Sequence, residues 1–595
     1  MIVKLDKEVQ ERFNREELVI ITERVDDVAL LISKMIKMRL HDVLDRHIPR
    51  HARQKGLSWG WTAVIWLAYI LTEGDHRKVE VQQYIKGMQN TLRDITGQAV
   101  ELSDFDDDRL SHLLTHLSKK KVWHAVESDL NKTCIEVFNL PKEVVRYDPT
   151  TVSGYHEVRD EGLMQFGQSK DDPSLPQIKL AAASLDPAGI PLATQVVSGE
   201  TADDGLYLRL IERVDESLNT PGLLMVGDCK MSALNTRMNI AAGGHFYLSP
   251  LPLTGKTPES MEKWIADGNI KDMEGTLIPV FRVNDRNKTS LAACGYEFEH
   301  VQTVVDDEGS IEWEERVLVL CSPAHAEKQA GGLERRLENA QCKIEALTPP
   351  RGRGKRQITK EETLIEAAGR ILKEHKVTGL LDIQYEKETE TKTSYVGRGR
   401  GSENREQKTE ERVRYQITAV TRNEKEISVV KRNFGWKAFV TNAAKKELSL
   451  QDAVLCYRNE YRVERIFNRL KSRVNIAPLY VRRDDQIAGL TYLLTLGIRV
   501  LTLIEFVCRR SLKTDKESLQ GLHPENRQKK TDKPTAERIL KAFDGVTLTI
   551  VCSRAGNELM RFLTPLSDLQ KEILKRLGLD ACYRQIEIRD TGSGV

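Results

Sequence analysis

The sequence predicts an α/β protein with a helical N-terminal region and a β-rich interruption. Three observations point there. Residues 1 to about 140 carry helical periodicity. Between 144 and 248 short apolar runs alternate with helical stretches. From about 255 to 435 the chain turns polar and β-like around a helical insert. At 595 residues it is long enough to bury several cores.

Composition narrows the class. Hydrophobic residues make up 40% and charged residues 30%, as in a soluble globular protein. Lys and Arg number 90 against 88 Asp and Glu, so the chain is no polycation, and any nucleic-acid surface has to come from local clustering. The nine cysteines form no C-x-x-C pair, which argues against a zinc site or a disulfide framework. Met1–Phe13 mixes charges throughout and is no signal peptide. The longest apolar run, Ile487 to Val507, is interrupted by Arg499 and Glu505 and reads as a buried helix, not a membrane span.

Taken in order, Asp26 and Asp27 precede a periodic segment with Val28, Leu31, Met35 and Ile36, and Pro49 stops the next turn. Ser58 is placed to cap an apolar helix through Trp59, Ile65, Trp66 and Leu71. The acidic run Ser103 to Asp108 opens another, since carboxylates favour the positive end of the helix dipole. Val144 to Asp148 reads as a strand ended by Asp148-Pro149. Leu163 to Gly167 is a second strand, Lys179 to Leu185 a central third, and Pro191 to Val197 extends the sheet. A helix over Asp203 to Leu218, a strand over Gly222 to Asp228, a helix from Ser232 to Gly243 and a strand at His245 to Leu248 follow. The order is β-β-β-α-β-α-β, three antiparallel strands and then parallel additions.

Further on, Leu333, Leu337, Ala340, Ile344 and Leu347 predict a packed helix or a short coiled-coil arm. The basic loop Arg398-Gly399-Arg400-Gly401 reads either as soluble loop or as phosphate contact. Trp436 to Val440 is a strand. A basic linker spans roughly 509 to 533, and the tail holds a helix near Thr535, a strand at Val546 to Val551 and a last helix from Pro565, capped by Thr564, to Gly578.

Asp148 and Asp228 each fall at the carboxyl end of an apolar strand, the edge where open α/β sheets bind ligands. An acid there costs stability unless something compensates it, and a divalent cation would. Each also has an ordinary structural reading, Asp148 in an Asx-turn and Asp228 as a helix N-cap.

The stretch Tyr457 to Lys471 contains no helix breaker and is placed on one helix. Val463, Ile466, Phe467 and Leu470 form its core stripe, Arg458, Arg462, Arg465 and Arg469 a basic stripe, and Tyr457, Glu460, Glu464 and Lys471 a third face. The alternative is a surface helix laced with Glu–Arg pairs. With Asp148 and Asp228, Glu464 completes an all-oxygen set suited to Mg2+ or Mn2+ and not to zinc. Two such ions about 4 Å apart clamp an in-line phosphoryl displacement.

Tyr147-Asp148-Pro149-Thr150-Thr151, Val226-Gly227-Asp228, Phe439-Val440-Thr441-Asn442 and Tyr457 through Lys471 together resemble a DDE-type insertion-sequence transposase, in the group with a β-rich insertion before the final acid. Tyr457, Glu464 and Lys471 keep that group's Tyr–Arg–Glu–Lys spacing, while Glu460 stands where the group has Arg. The resemblance implies an RNase H-like catalytic domain in two parts, 141–255 and 436–512, interrupted by a mainly β insertion domain over 256–435. A helical N-terminal domain, 1–140, and an α+β C-terminal tail, 513–595, flank it. It implies that Asp148, Asp228 and Glu464 bind two Mg2+ or Mn2+ ions and that Tyr457 and Lys471 contact DNA phosphates. Arg458, Arg462 and Arg465 would add charge, and Trp436 or Trp313 would stack on a flipped base or else lie buried in a strand. The partners implied are double-stranded DNA, as inverted-repeat transposon ends and target, with a homodimer assembled on DNA in a prokaryotic, nucleoid-associated cytoplasmic setting and no membrane. Three other readings remain: a metal nuclease of the same fold that cuts without joining, a catalytically silent DNA-binding protein of transposon origin, and a multi-domain scaffold whose acids are caps and ion pairs.

Overall fold

Strand β1, Val144–Ser153, is the element around which the sheet of the first unit is laid. The computed structural model describes residues 18–51, 55–283, 288–306, 309–352, 354–396 and 406–587. Met1–Phe13 and the basic loop Arg398–Gly401 lie outside them. The chain is mixed α/β and divides into two units, one of residues 1–249, 303–313 and 456–595, the other of 250–302 and 314–455.

In the first unit β1 is followed by β2 (Gln177–Leu185), β3 (Ile190–Ser198), helix α1 (Asp204–Leu218), β4 (Leu224–Gly227), helix α2 (Leu234–Ala242) and β5 (Phe246–Pro250). The spatial order is β3-β2-β1-β4-β5. The first three strands pair antiparallel, and β4 and β5 add in parallel to β1. Every residue of β2 is buried, which is why it reads as one apolar run.

Two expectations need correction here. Pro149 does not end β1. Pairing with β4 stops at Tyr147, so Pro149 has a strand on one side only, where a missing N–H is tolerated. Leu163–Gly167 is not a strand and makes only the isolated bridge Gln165–Gln177.

The N-terminal helices form as read, from Val28–Lys37 to Lys120–Phe138, and Ser58 Oγ accepts the Trp61 N–H at 3.3 Å. They are preceded by a strand, Leu18–Arg24, paired antiparallel with Thr547–Ser553. That pairing joins segments over five hundred residues apart, which local periodicity does not reveal. The helix expected from Pro565 is Asp568–Leu577, capped by Ser567 in a capping box with Gln570 and not by Thr564, and a further short helix, Arg584–Glu587, follows it. The expected basic linker is partly ordered: a helix runs to Asp515, and Leu519–Gln520 pairs with Lys530–Thr531.

The signature region supplies helix α3 (Tyr461–Ser472), and the apolar run becomes helix α4 (Asp484–Asp515). By length and hydropathy α4 would cross a membrane, but its apolar window is wholly buried in the protein. Gly489 lets α4 touch the helix Asp107–Leu117, because a Cβ there would lie 2.1 Å from the Leu114 carbonyl oxygen. Tyr492 stacks on Trp123 at 4.5 Å and its hydroxyl accepts the Val196 N–H, while Arg499 donates to Asn131. The charged residues that break up the apolar run are therefore buried and paired.

In the second unit the strand Trp436–Thr441, the part of Gly309–Cys321 from residue 314, the part of Thr289–Asp306 up to residue 302 and the strand Ile278–Val283 follow one another. A separate hairpin pairs Leu381–Tyr395 with Gln407–Arg422. The helix Pro323–Glu345 is packed: Leu333, Leu337, Ala340 and Ile344 share a core with Val377, Leu381, Val420 and Ile427.

One buried charge yields a pH prediction. Lys34 is 0% exposed, its Nζ has no hydrogen-bond partner, and it lies 4.3 Å from the Phe138 ring centroid. Burial lowers its ammonium from 10.5 to about 7. Between those values the unfolded chain holds a proton that the folded chain has lost, so stability rises with pH from about 7 to 10.5. Thermal melts across that range should show the rise in the wild type and a flatter profile, starting higher, in Lys34→Met.

Candidate active site

Strand register sets the first pair of acids. Tyr147 lies opposite Gly227 where β1 and β4 run parallel, so the next residues, Asp148 and Asp228, stand side by side where that pairing ends; Asp228 follows the end of β4, but Asp148 does not end its strand as expected, since β1 runs on to Ser153. A cavity of about 530 Å³ opens beside Asp228, lined by Asp203, Lys170, Lys179, Lys230 and Thr150 among others.

Asp228 is half-buried and held by two donors. The Tyr207 hydroxyl, from α1, reaches its Oδ1 at 2.7 Å, and the Lys230 backbone N–H reaches the same oxygen at 2.9 Å. Burial, and then the Asp228 charge, push the Tyr207 phenol far above its ordinary value, so it remains a donor. The Lys170 ammonium stands 3.6 Å from Asp148 Oδ1 and donates to the Pro149 carbonyl at 2.8 Å. Asp203 receives both Lys179 and Lys230. Burial alone would raise its carboxyl, but the two lysines prevail and hold it below the usual carboxylate range.

The stretch Tyr457 to Lys471 is not one helix. A helix Leu450–Tyr457 gives way to a 3-10 turn, Arg458–Glu460, before α3 begins. The buried Arg146 meets the chain just before the break. It donates at 2.7 Å to the Cys456 carbonyl, the acceptor a continuous helix would offer to the N–H four residues on. Tyr457, half-buried, thus ends the preceding helix and Arg458, also half-buried, opens the 3-10 turn, so neither lies on α3 with Glu464 and Lys471.

The core stripe of α3 is as expected, with Val463, Ile466, Phe467 and Leu470 buried. The basic stripe turns inward. Arg462 pairs with Asp186 at 3.1 Å, Arg465 and Arg469 with Glu505, and Arg469 also with Glu537 at 2.9 Å. These guanidiniums serve the fold, which alternating charge along a helix does not disclose. Trp436 is buried against Gly268, where a Cβ would lie 2.4 Å from its ring, so it is a core residue. Trp313, half-buried, donates to the Tyr247 hydroxyl at 2.8 Å.

Glu464 is exposed. Lys471 Nζ bonds both oxygens of Asp171, at 2.7 and 2.9 Å, next to the Lys170 that approaches Asp148. The structure thus brings Asp148 and Asp228 together, ties Lys471 to the loop beside them and leaves Glu464 outside the pair. Among the described residues no group of three or more His, Cys, Asp or Glu is set to hold a metal ion. Sequence reasoning missed Lys170, Asp203, Tyr207 and Lys230. Only Tyr207 left a signal, a phenol among the buried Leu206, Leu210 and Val214 of α1.

No protein-family model matches the chain, and no curated protein matches it in sequence. Among solved structures it is similar to a piggyBac transposase synaptic complex with hairpin DNA, determined by cryo-EM. The identity is 8% and the TM-score 0.32, over 88% of this chain and 80% of that one. That likeness is distant, and function has to be read from this chain's own residues.

Proposed function

We propose that the chain is a DNA transposase of the DDE type with an RNase H-like catalytic domain. The observation that carries this is the pair Asp148 and Asp228, side by side where the parallel pairing of β1 and β4 ends. The order β3-β2-β1-β4-β5 supports the RNase H-like reading.

Paired carboxylate oxygens fit a hard divalent cation, Mg2+ or Mn2+. Asp148 and Asp228 would hold it, and Glu464 joins them when DNA is bound. Three contacts support the role of Glu464. Arg146 and Asp148, two apart, share a face of β1. Asp186 binds both Arg146 and Arg462, so α3 lies along that face. Glu464 and Lys471, seven apart, share one side of α3, and Lys471 already reaches the loop at Asp148. Bound metal supplies charge for the phosphodiester and activation of the attacking oxygen. Lys471 and Tyr457 hold phosphates of the transposon end. The DNA 3′-hydroxyl is itself the second nucleophile, so no covalent enzyme intermediate is required.

DNA bearing the terminal inverted repeats, taken from the flanks of the gene, with a plasmid target and Mg2+, tests the proposal. Cleavage at the ends and a joined product are expected, and both should vanish with EDTA. Cleavage without joining would mean a nuclease. End binding with neither would mean a silent DNA-binding protein.

A further inference from the structure

We infer that Tyr207 is a positioning residue for metal binding: its hydroxyl anchors one oxygen of Asp228 and leaves the other for a divalent cation. The inference rests on Asp228 being a cation ligand. Two donors to Asp228, the Tyr207 hydroxyl at 2.7 Å and the Lys230 N–H at 2.9 Å, converge on Oδ1, and neither goes to Oδ2. Tyr207 is 2% exposed and stands in the first turn of α1, where Leu206 and Leu210 fix the helix to the core.

Packing alone does not call for a phenol there. Phe would fill the same space without burying a hydroxyl, which costs free energy unless it is bonded. The bond it makes goes to the carboxylate at the strand edge. The Lys230 N–H comes from the turn just after β4, and Asp203, binding both Lys179 and the Lys230 ammonium, holds that turn to the end of the β3–α1 connection. Two elements thus hold the same oxygen of Asp228. Groups that orient a ligating carboxylate in this way typically contribute about ten- to a hundredfold to metal affinity.

Mn2+ titration of the full-length wild type, Tyr207→Phe, Asp228→Asn and the double variant, by calorimetry and by loss of the free Mn2+ EPR signal, tests this. Tyr207→Phe should weaken Mn2+ binding roughly tenfold or more. Its thermal midpoint should stay at the wild-type value, because only the hydroxyl is removed. In the Asp228→Asn background the same change should cost nothing further. Tyr207→Phe binding Mn2+ within twofold of the wild type, while Asp228→Asn does not, would overturn the inference and leave the transposase reading standing. Asp228→Asn binding Mn2+ as the wild type does would overturn both.

Discussion

Asp228→Asn is expected to lower metal-dependent cleavage of transposon-end DNA on the order of a thousandfold, with end binding and thermal stability close to wild type. The substitution keeps the shape of the side chain and an oxygen to accept the Tyr207 hydroxyl and the Lys230 N–H. What it removes is the negative charge that a divalent cation needs. Metal contributes several kcal/mol to a phosphoryl displacement, and about 4 kcal/mol is a thousandfold in rate. Asp148→Asn should behave alike, since Asp148 stands beside Asp228 where the parallel pairing ends. Single-turnover cleavage on denaturing gels, with a mobility-shift assay on the same protein, separates loss of chemistry from loss of binding. Loss of both together would point to DNA positioning instead. Glu464→Gln with full cleavage activity would remove Glu464 from the metal set while leaving the aspartate pair in place.

Glu505→Ala is expected to destabilise the first unit by about 3–5 kcal/mol, the usual result of stranding a buried cation. Glu505, 5% exposed on α4, receives Arg465 and Arg469 from α3, Arg509 one turn along its own helix at 2.8 Å, and the Ala536 N–H at 3.3 Å. Arg469 is itself 6% exposed, and its remaining carboxylate is Glu537. Removing Glu505 would leave that guanidinium half-satisfied in the core and unfasten α3 from α4. Urea unfolding followed by tryptophan fluorescence checks the size. A change under about 1 kcal/mol, the range of an exposed ion pair, would mean that solvent reaches the cluster.

The fold was legible where burial is one-sided or complete. β2, the strand around Val226 and the capped helix at Ser58 each display their pattern in a few consecutive residues. The strand Leu18–Arg24 was not legible, because its partner Thr547–Ser553 is set by distant pairing. The 3-10 break after Tyr457 escaped for a similar reason. Nothing in Arg458-Asn459-Glu460 forbids a helix, and the group that meets the chain just before it, Arg146, comes from three hundred residues earlier. The same holds at the site. Asp148 and Asp228 could be picked out because a carboxylate following a run of apolar strand residues violates the local pattern, even though β1 itself runs on past Asp148. Lys170, in a polar loop, violates nothing, and Arg462, Arg465 and Arg469 looked solvent-facing because their carboxylates come from other elements.

Anomalous diffraction from the protein bound to transposon-end DNA and soaked in Mn2+ tests the central claim most directly. The account predicts Mn2+ density between Asp148 and Asp228, with Glu464 drawn in as a third carboxylate. Crystals that take up Mn2+ elsewhere and none at these side chains would contradict it.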